Sequence, residues 1–164
     1  MSKNIAVLLG PNFSDYQYLA TADCLQLAGH HLIHIGSSRS DVVYGQQHTP
    51  VKLQDHLPSA SIQGLDALVL FAMEDNDNIS DFVQRFANAH KPIFSLAAAE
   101  LLIGAKVAYG RRLTAAHHAQ QSLQAAGAVY VDQAVVNDHN LYISSRDPAA
   151  LGAFLQETLQ VLNA

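Results

Sequence analysis

Three kinds of residue in this chain could carry covalent or acid–base chemistry. They are one cysteine (Cys24), the serines Ser14 and Ser95, and the adjacent pair His117 and His118 with Glu100 upstream. A thiol or hydroxyl nucleophile needs a base within hydrogen-bond reach and donors for the negative charge that develops. The place suited to such a group is Lys91-Pro92-Ile93-Phe94-Ser95-Leu96, followed by Ala97-Ala98-Ala99-Glu100-Leu101-Leu102. Lys-Pro punctuates a loop, Ile93 to Leu96 is an apolar run long enough for a buried strand, and Ala97 to Ile103 is rich in strong helix formers. A strand running straight into a helix makes a sharp turn, which in many α/β enzymes lifts a Ser or Cys out of the sheet. Here the turn carries Ala97, Ala98 and Ala99, which can neither attack, ionise nor bind a metal.

The remaining candidates have plainer readings. Cys24 falls inside the first helical pattern, where a free cysteine is expected to be a small buried hydrophobe. Ser95 lies within the strand before the turn and is expected to be packed, and Ser14 is placed to cap a helix. His117 and His118 diverge by about 100° at a helix start, so they make a poor two-ligand site. A metal there would need a third ligand such as Glu74, Asp75 or Glu100, and they are read as solvated or pocket-lining instead. His30, His31 and His34 do not share a face and are expected at the surface. The acidic run Glu74-Asp75-Asn76-Asp77-Asn78 lacks the central Gly and terminal Glu of a calcium loop and reads as a solvated loop with a helix cap. No metal or other cofactor is called for.

These residues sit on 164 positions, 49% of them apolar and 14% charged, which suits one globular domain over residues 1–164. The net charge is −5 with nine Lys plus Arg and no basic run, so nucleic acid is not an expected partner. No apolar stretch reaches the roughly 18–20 residues of a membrane span. A lone cysteine excludes an internal disulfide, and Met1-Ser2-Lys3-Asn4 leads into a strand without a signal-peptide pattern, so a cytoplasmic protein is expected.

The elements that must position the turn follow from patterning. Ile5 to Leu9, ended by Gly10-Pro11, reads as a central parallel strand buried on both faces. A helix follows, capped by Ser14 or Asp15, with Leu19, Ala22, Leu25 and Ala28 on one face and Gly29 past its end. His31 to Ile35 is a second strand, and Val42 to Tyr44 with Val51 to Leu53 a small marginal hairpin. Gln54 to Ser61 reads as loop, Leu65 to Phe71 holds a third core strand, and Ile79 to Ala89 is a helix. Beyond the turn come a short strand or helix end at Val107 to Tyr109, a strand at Leu113-Thr114 and a helix over His118 to Ala126. Strands at Val129 to Val131, Ala134 to Asn137 and Leu141 to Ser144 precede a final helix that starts at Pro148. Alternating strands and helices predict an α/β sandwich with a mainly parallel sheet.

In this frame several segments resemble one family. Asn12-Phe13-Ser14-Asp15-Tyr16-Gln17 is similar to a Gly-Phe-Glu-Asp-x-Glu motif after strand one, and Asp23 to Gly29 to Asp-x-Leu-Arg-Arg-Ala-Gly. Asp66 to Leu70, Lys91-Pro92-Ile93, Gly110 to Thr114, Ala126 to Asp132, Asp138 to Leu141 and Ser145 to Pro148 follow in the family's order. The chain resembles the ThiJ/PfpI superfamily over about residues 3–162, which implies the class I glutamine amidotransferase-like, flavodoxin-like three-layer fold. The resemblance also implies a homodimer with its site near the interface, the first helix and the hairpin being candidate contacts.

The departures carry the functional expectation. Active members of that superfamily have an elbow Cys, usually followed by His, where this chain has Ala97 and Ala98. Their Glu after strand one is Ser14, and their Gly pair after the third core strand is the stretch Phe71-Ala72-Met73. A Tyr or His near the thiol is replaced at Ala115-Ala116, with His117 one place later. The resemblance therefore implies a catalytically inactive pseudoenzyme with a binding, regulatory or structural role and no catalytic residues. Its vestigial pocket would be drawn from Ser14, Phe71, Ala72, Met73, Ala97, Ala98, Glu100, Ala116, His117 and His118, and would either hold a small-molecule ligand or be filled by neighbours such as Phe71 and Met73. The alternative is an enzyme of hydrolase, glyoxalase or lyase type using His117 or His118 with Glu100.

Overall fold

The first apolar run, Ile5 to Leu9, is at most 1% exposed at every position and forms the core of strand β1 (Asn4–Leu9) in the computed structural model, which describes residues 1–164. Only a strand flanked by strands and covered on both faces buries five consecutive side chains. Strand β1 pairs in parallel with β2 (His31–Gly36) on one side and β6 (Ala67–Phe71) on the other. Next come β7 (Ile93–Leu96) and β11 (Tyr142–Ser145), both parallel, and then the antiparallel edge strand β10 (Val135–Asp138). On the far side of β2 the two-residue strand β5 (Asp55–His56) completes a seven-stranded sheet of order β10-β11-β7-β6-β1-β2-β5. The expected loop over 54–61 thus contributes an edge strand, too short to leave a periodic signature.

Helices cover both faces. Helix α1 (Asp15–Leu27) and helix α5 (Leu151–Leu162) lie over one face, where Leu25 and Phe154 pack with Val7 and Phe94. Helices α2 (Asp77–Asn88), α3 (Ala99–Gly104) and α4 (Gln120–Ala125) lie over the other, with Phe82, Leu101 and Leu123 against Leu8 and Leu70. Two small sheets stand outside. One is the hairpin β3 (Val42–Tyr44) with β4 (Pro50–Lys52), and the other a parallel pair, β8 (Arg112–Leu113) with β9 (Val129–Tyr130). Val107 to Tyr109, read as a strand or helix end, forms neither a strand nor part of α3. No helix is long and apolar enough to cross a membrane.

The face of α1 differs from the sequence reading. Tyr18, Thr21, Ala22 and Leu25 are buried, whereas Leu19 is 44% exposed and Ala28 lies outside the core. The pattern misleads because α1 is apolar on both sides: Tyr16 and Leu27 also face outward, and Tyr44 of the hairpin is exposed too. Cys24 is half-buried between the two faces, and burial pushes its thiol pKa up.

His34 and His30 are buried rather than at the surface. His34 stands on the α1 side of β2, where Gln54 Oε1 accepts from its backbone N–H (2.6 Å) and lies 3.3 Å from its Nδ1. An amide oxygen only accepts, so Nδ1 carries the proton and Nε2 accepts from the Tyr18 hydroxyl at 2.7 Å. Burial pushes the pKa of both histidines below the ordinary 6.5, with the N-terminal ammonium, Lys3 and His31 adding to the effect at His30. The unfolded chain therefore takes up these protons first as pH falls. Their contribution to stability is complete above pH 6.5 and is lost as pH drops below it. Thermal melts should show Tm falling from pH 7.5 to pH 5, with a shallower slope in His34→Gln. An unchanged slope in that variant would place the sensitivity elsewhere.

Candidate functional site

The turn between β7 and α3 keeps the geometry of an elbow. Ala97 has φ 51°, a left-handed conformation that costs a residue with a Cβ roughly 1–2 kcal/mol. Its N–H donates to Ser145 Oγ at 3.0 Å, which ties the end of β7 to the end of β11. One strand position earlier, Ser144 Oγ accepts from the Thr114 N–H at 3.0 Å and holds the segment after β8 against β11. Thr114 Oγ1 donates in turn to the carbonyl of Gln133 at 2.8 Å. Parallel register aligns Phe71 with Leu96 and so brings the chain leaving β6 beside the elbow. The carboxyl ends of β6, β7 and β11 and the segment after β8 therefore converge.

What they enclose is a hollow of about 320 Å³. Its walls are methyl groups from Ala72, Ala97, Ala99, Ala115, Ala116 and Ala119. Its polar lining comes from Glu100, His118, Arg146 and Asp147. Arg146 is engaged by Asp132 (Nη1–Oδ1 3.1 Å) and lies 3.9 Å from Asp147 through Nε. No thiol or hydroxyl lines the hollow. Ser95, two residues earlier within β7, is 1% exposed and its hydroxyl has no partner, so no base activates it.

A second cavity, of about 420 Å³, adjoins the first at Ala72. It lies beyond the carboxyl ends of β1, β2 and β6, between Gly10 to Phe13, Ser37-Ser38 and Phe71 to Asn76. The residues expected to form one pocket are thus divided. Ala72, Ala97, Glu100, Ala116 and His118 line the hollow, and Phe71 and Met73 line the second crevice together with Ala72. Ala98 points into the core beneath α3 and is 2% exposed. Ser14 lines neither cavity: its hydroxyl accepts from the Gln17 N–H at 3.4 Å and caps α1. His117 opens a single 3-10 turn, is exposed, and lines neither cavity. No group of three or more His, Cys, Asp and Glu side chains is placed to hold a metal ion.

Sequence reasoning passed over Arg146, Asp147 and Pro148 as site residues, along with Ser37 and Ser38. The available signal was positional. Each group directly follows a strand of the parallel sheet, and the carboxyl ends of such strands are where ligands bind.

Comparison with known proteins places this geometry among relatives. The family model described as DJ-1/PfpI family matches residues 3–161. Protein/nucleic acid deglycase 2 of Escherichia coli (strain K12) is 34% identical over 173 residues, spanning 100% of both chains. General stress protein 18 of Bacillus subtilis (strain 168) is 31% identical over 170 residues, 99% of each. Among solved structures, a two-domain protein from Anabaena variabilis with DJ-1/ThiJ/PfpI-like and ferritin-like domains matches with TM-score 0.87 at 23% identity, over 98% of this chain and 48% of that one. Drosophila melanogaster DJ-1beta matches with TM-score 0.82 at 23% identity, over 96% of this chain and 89% of the other.

Proposed function

This chain belongs to the DJ-1/PfpI family, and on that premise we propose that it is a ligand-binding pseudoenzyme, a member in which alanine stands where the family's thiol would. The observation that carries this reading is the elbow at Ala97. The strained φ and its brace to Ser145 persist with no nucleophile to present, over a hollow that remains open. Strain of this kind persists only where the surrounding structure over-determines it. A hollow with methyl walls and a polar lining of His118, Arg146, Glu100 and Asp147 suits a small molecule, mostly apolar with one polar end. Its volume sits near the lower end of the range for ligand pockets, about 300–1,000 Å³.

The test is a thermal-shift screen of short-chain aldehydes, keto acids and carboxylates against the wild type and Ala116→Phe, which fills the hollow. A ligand should raise Tm in the wild type and lose that effect in the variant. Equal shifts in both proteins, or none from any compound, would overturn the reading. The alternative, acid–base or metal chemistry by histidine, keeps only His118 with Glu100, because His117 lies outside both cavities.

We place self-association on the outer face of α1 and the hairpin, where Tyr16, Leu19, Leu27 and Tyr44 are exposed. A helix apolar on both sides is the kind that a partner covers. The double variant Leu19→Asp/Leu27→Asp should sediment as a monomer while the wild type sediments as a dimer. Identical sedimentation of the two would remove this face from consideration. The cytoplasm, where thiols stay reduced, is the compartment that suits a chain with one unpaired cysteine.

A further inference from the structure

The 420 Å³ crevice beside the elbow lies at a singular place in the sheet. From β1 the chain crosses to β2 on one side, and the next core strand, β6, is on the other, so the strand order reverses between β1 and β6. Two connections leave in opposite directions there and open a gap outside the carboxyl ends of the strands. In many doubly wound sheets a phosphate-bearing cofactor lies at such a point. The chemistry of this gap does not fit one, because no Lys or Arg lines it.

Its polar groups divide by availability. Asp75 Oδ1 accepts from the Asn76 N–H at 2.8 Å, and its other oxygen lies against Gly104, where a Cβ would overlap it. Asn76 Oδ1 accepts from the Ile79 N–H at 3.0 Å and caps α2. The side chains of Asn12, Ser37, Ser38 and Glu74 make no hydrogen bond within the chain. That leaves one carboxylate, one amide and two hydroxyls, a set that both donates and accepts. Met73 and the edges of Phe13 and Phe71 supply apolar surface beside them. Gly10 keeps the floor clear, since a Cβ there would stand 2.9 Å from Ser37 Oγ.

We infer that this crevice is a second binding site, for an uncharged polyhydroxylated molecule of monosaccharide size. Glu74 accepts from hydroxyl groups, Asn12 and the two serines exchange hydrogen bonds with them, and Met73 covers a C–H face. The site adjoins the alanine hollow at Ala72 but does not depend on a ligand being found there.

The test is saturation-transfer difference NMR on the full chain with D-glucose, D-ribose, putrescine and methyl phosphate as probes. Transfer is expected from at least one sugar and from neither putrescine nor methyl phosphate. Glu74→Gln, at an exposed position, should weaken sugar binding about fivefold or more. Ala116→Phe, which fills only the hollow, should leave it unchanged. Transfer from putrescine or methyl phosphate with the sugars silent would overturn the assignment, as would sugar binding indifferent to Glu74→Gln. Silence from all four probes would overturn it as well, whatever the thermal-shift screen of the hollow finds.

Discussion

Placing a cysteine at position 97 should create a fast-reacting thiol without creating an enzyme. The variant Ala97→Cys/Cys24→Ser is expected to react with a disulfide reagent at least about tenfold faster than the wild type, whose only thiol is Cys24. Two observations set the direction. Burial pushes the Cys24 thiol pKa up, so little thiolate forms there at neutral pH. Position 97 opens onto a 320 Å³ hollow lined also by His118 and Arg146, where a thiol would be accessible and near cationic or proton-accepting groups. The backbone already holds the left-handed conformation, and a cysteine adopts it at the same cost as the alanine. Reaction no faster than that of Cys24 would mean that the hollow is closed. The thiol alone is not expected to confer turnover, because Ser14 and Phe71-Ala72-Met73 still stand where the resemblance places the tuning carboxylate and the Gly pair.

Gly45→Ala should lower stability, although the group its new methyl meets is only a side chain. A Cβ on Gly45 would overlap Asp15 Oδ1 and lie 2.6 Å from its Cγ. A flexible side chain could swing aside, but this one is anchored. Asp15 accepts from the N–H of Gln47 at 2.7 Å and of Thr49 at 3.0 Å. Burial alone would raise its pKa, yet the bonds from Thr49 and Gln47 outweigh that and hold the carboxyl at about 2. The hairpin turn so pinned is also laced to the loop after β1, with Asn12 N–H donating to Tyr44 O (3.0 Å) and Gln46 N–H to Phe13 O (2.9 Å). Overpacking of this kind costs about 1–3 kcal/mol, which for a chain of this size lowers Tm by roughly 3–10 °C. Gly152→Ala, whose Cβ would meet nothing within 4 Å, is the control and should melt within a degree or two of the wild type. Equal melting of the two variants would show that the carboxylate does not hold the turn.

How much of this was legible in the residues divides along physical lines. Ile5 to Leu9, Ala67 to Phe71 and Ile93 to Leu96 announced themselves because a strand buried on both faces must be apolar throughout. The elbow was legible for the same reason, with a helix-forming run directly after it. Strand β5 was not, because two residues paired to Ile35 and Gly36 leave no pattern. The buried face of α1 was misread because Leu19 and Leu27 look like core residues until the sheet's position is known. His34 looked like a surface group because its partners, Tyr18 and Gln54, lie 16 and 20 residues away. The division of the expected pocket into two cavities depends on how five strand ends converge in space, which no single segment encodes.

We expect this chain to catalyse none of the reactions of its thiol-bearing relatives, a claim that one assay meets without intermediaries. Purified protein is tested for methylglyoxal consumption and peptide hydrolysis, first metal-free and then with Zn²⁺, beside a family member that carries the elbow cysteine. The expected result is turnover in that control and none above background in this chain under either condition. Turnover that disappears in His118→Ala or in Cys24→Ala would contradict the claim, by naming a histidine or the lone thiol as the source of a chemistry that the elbow at Ala97 does not supply.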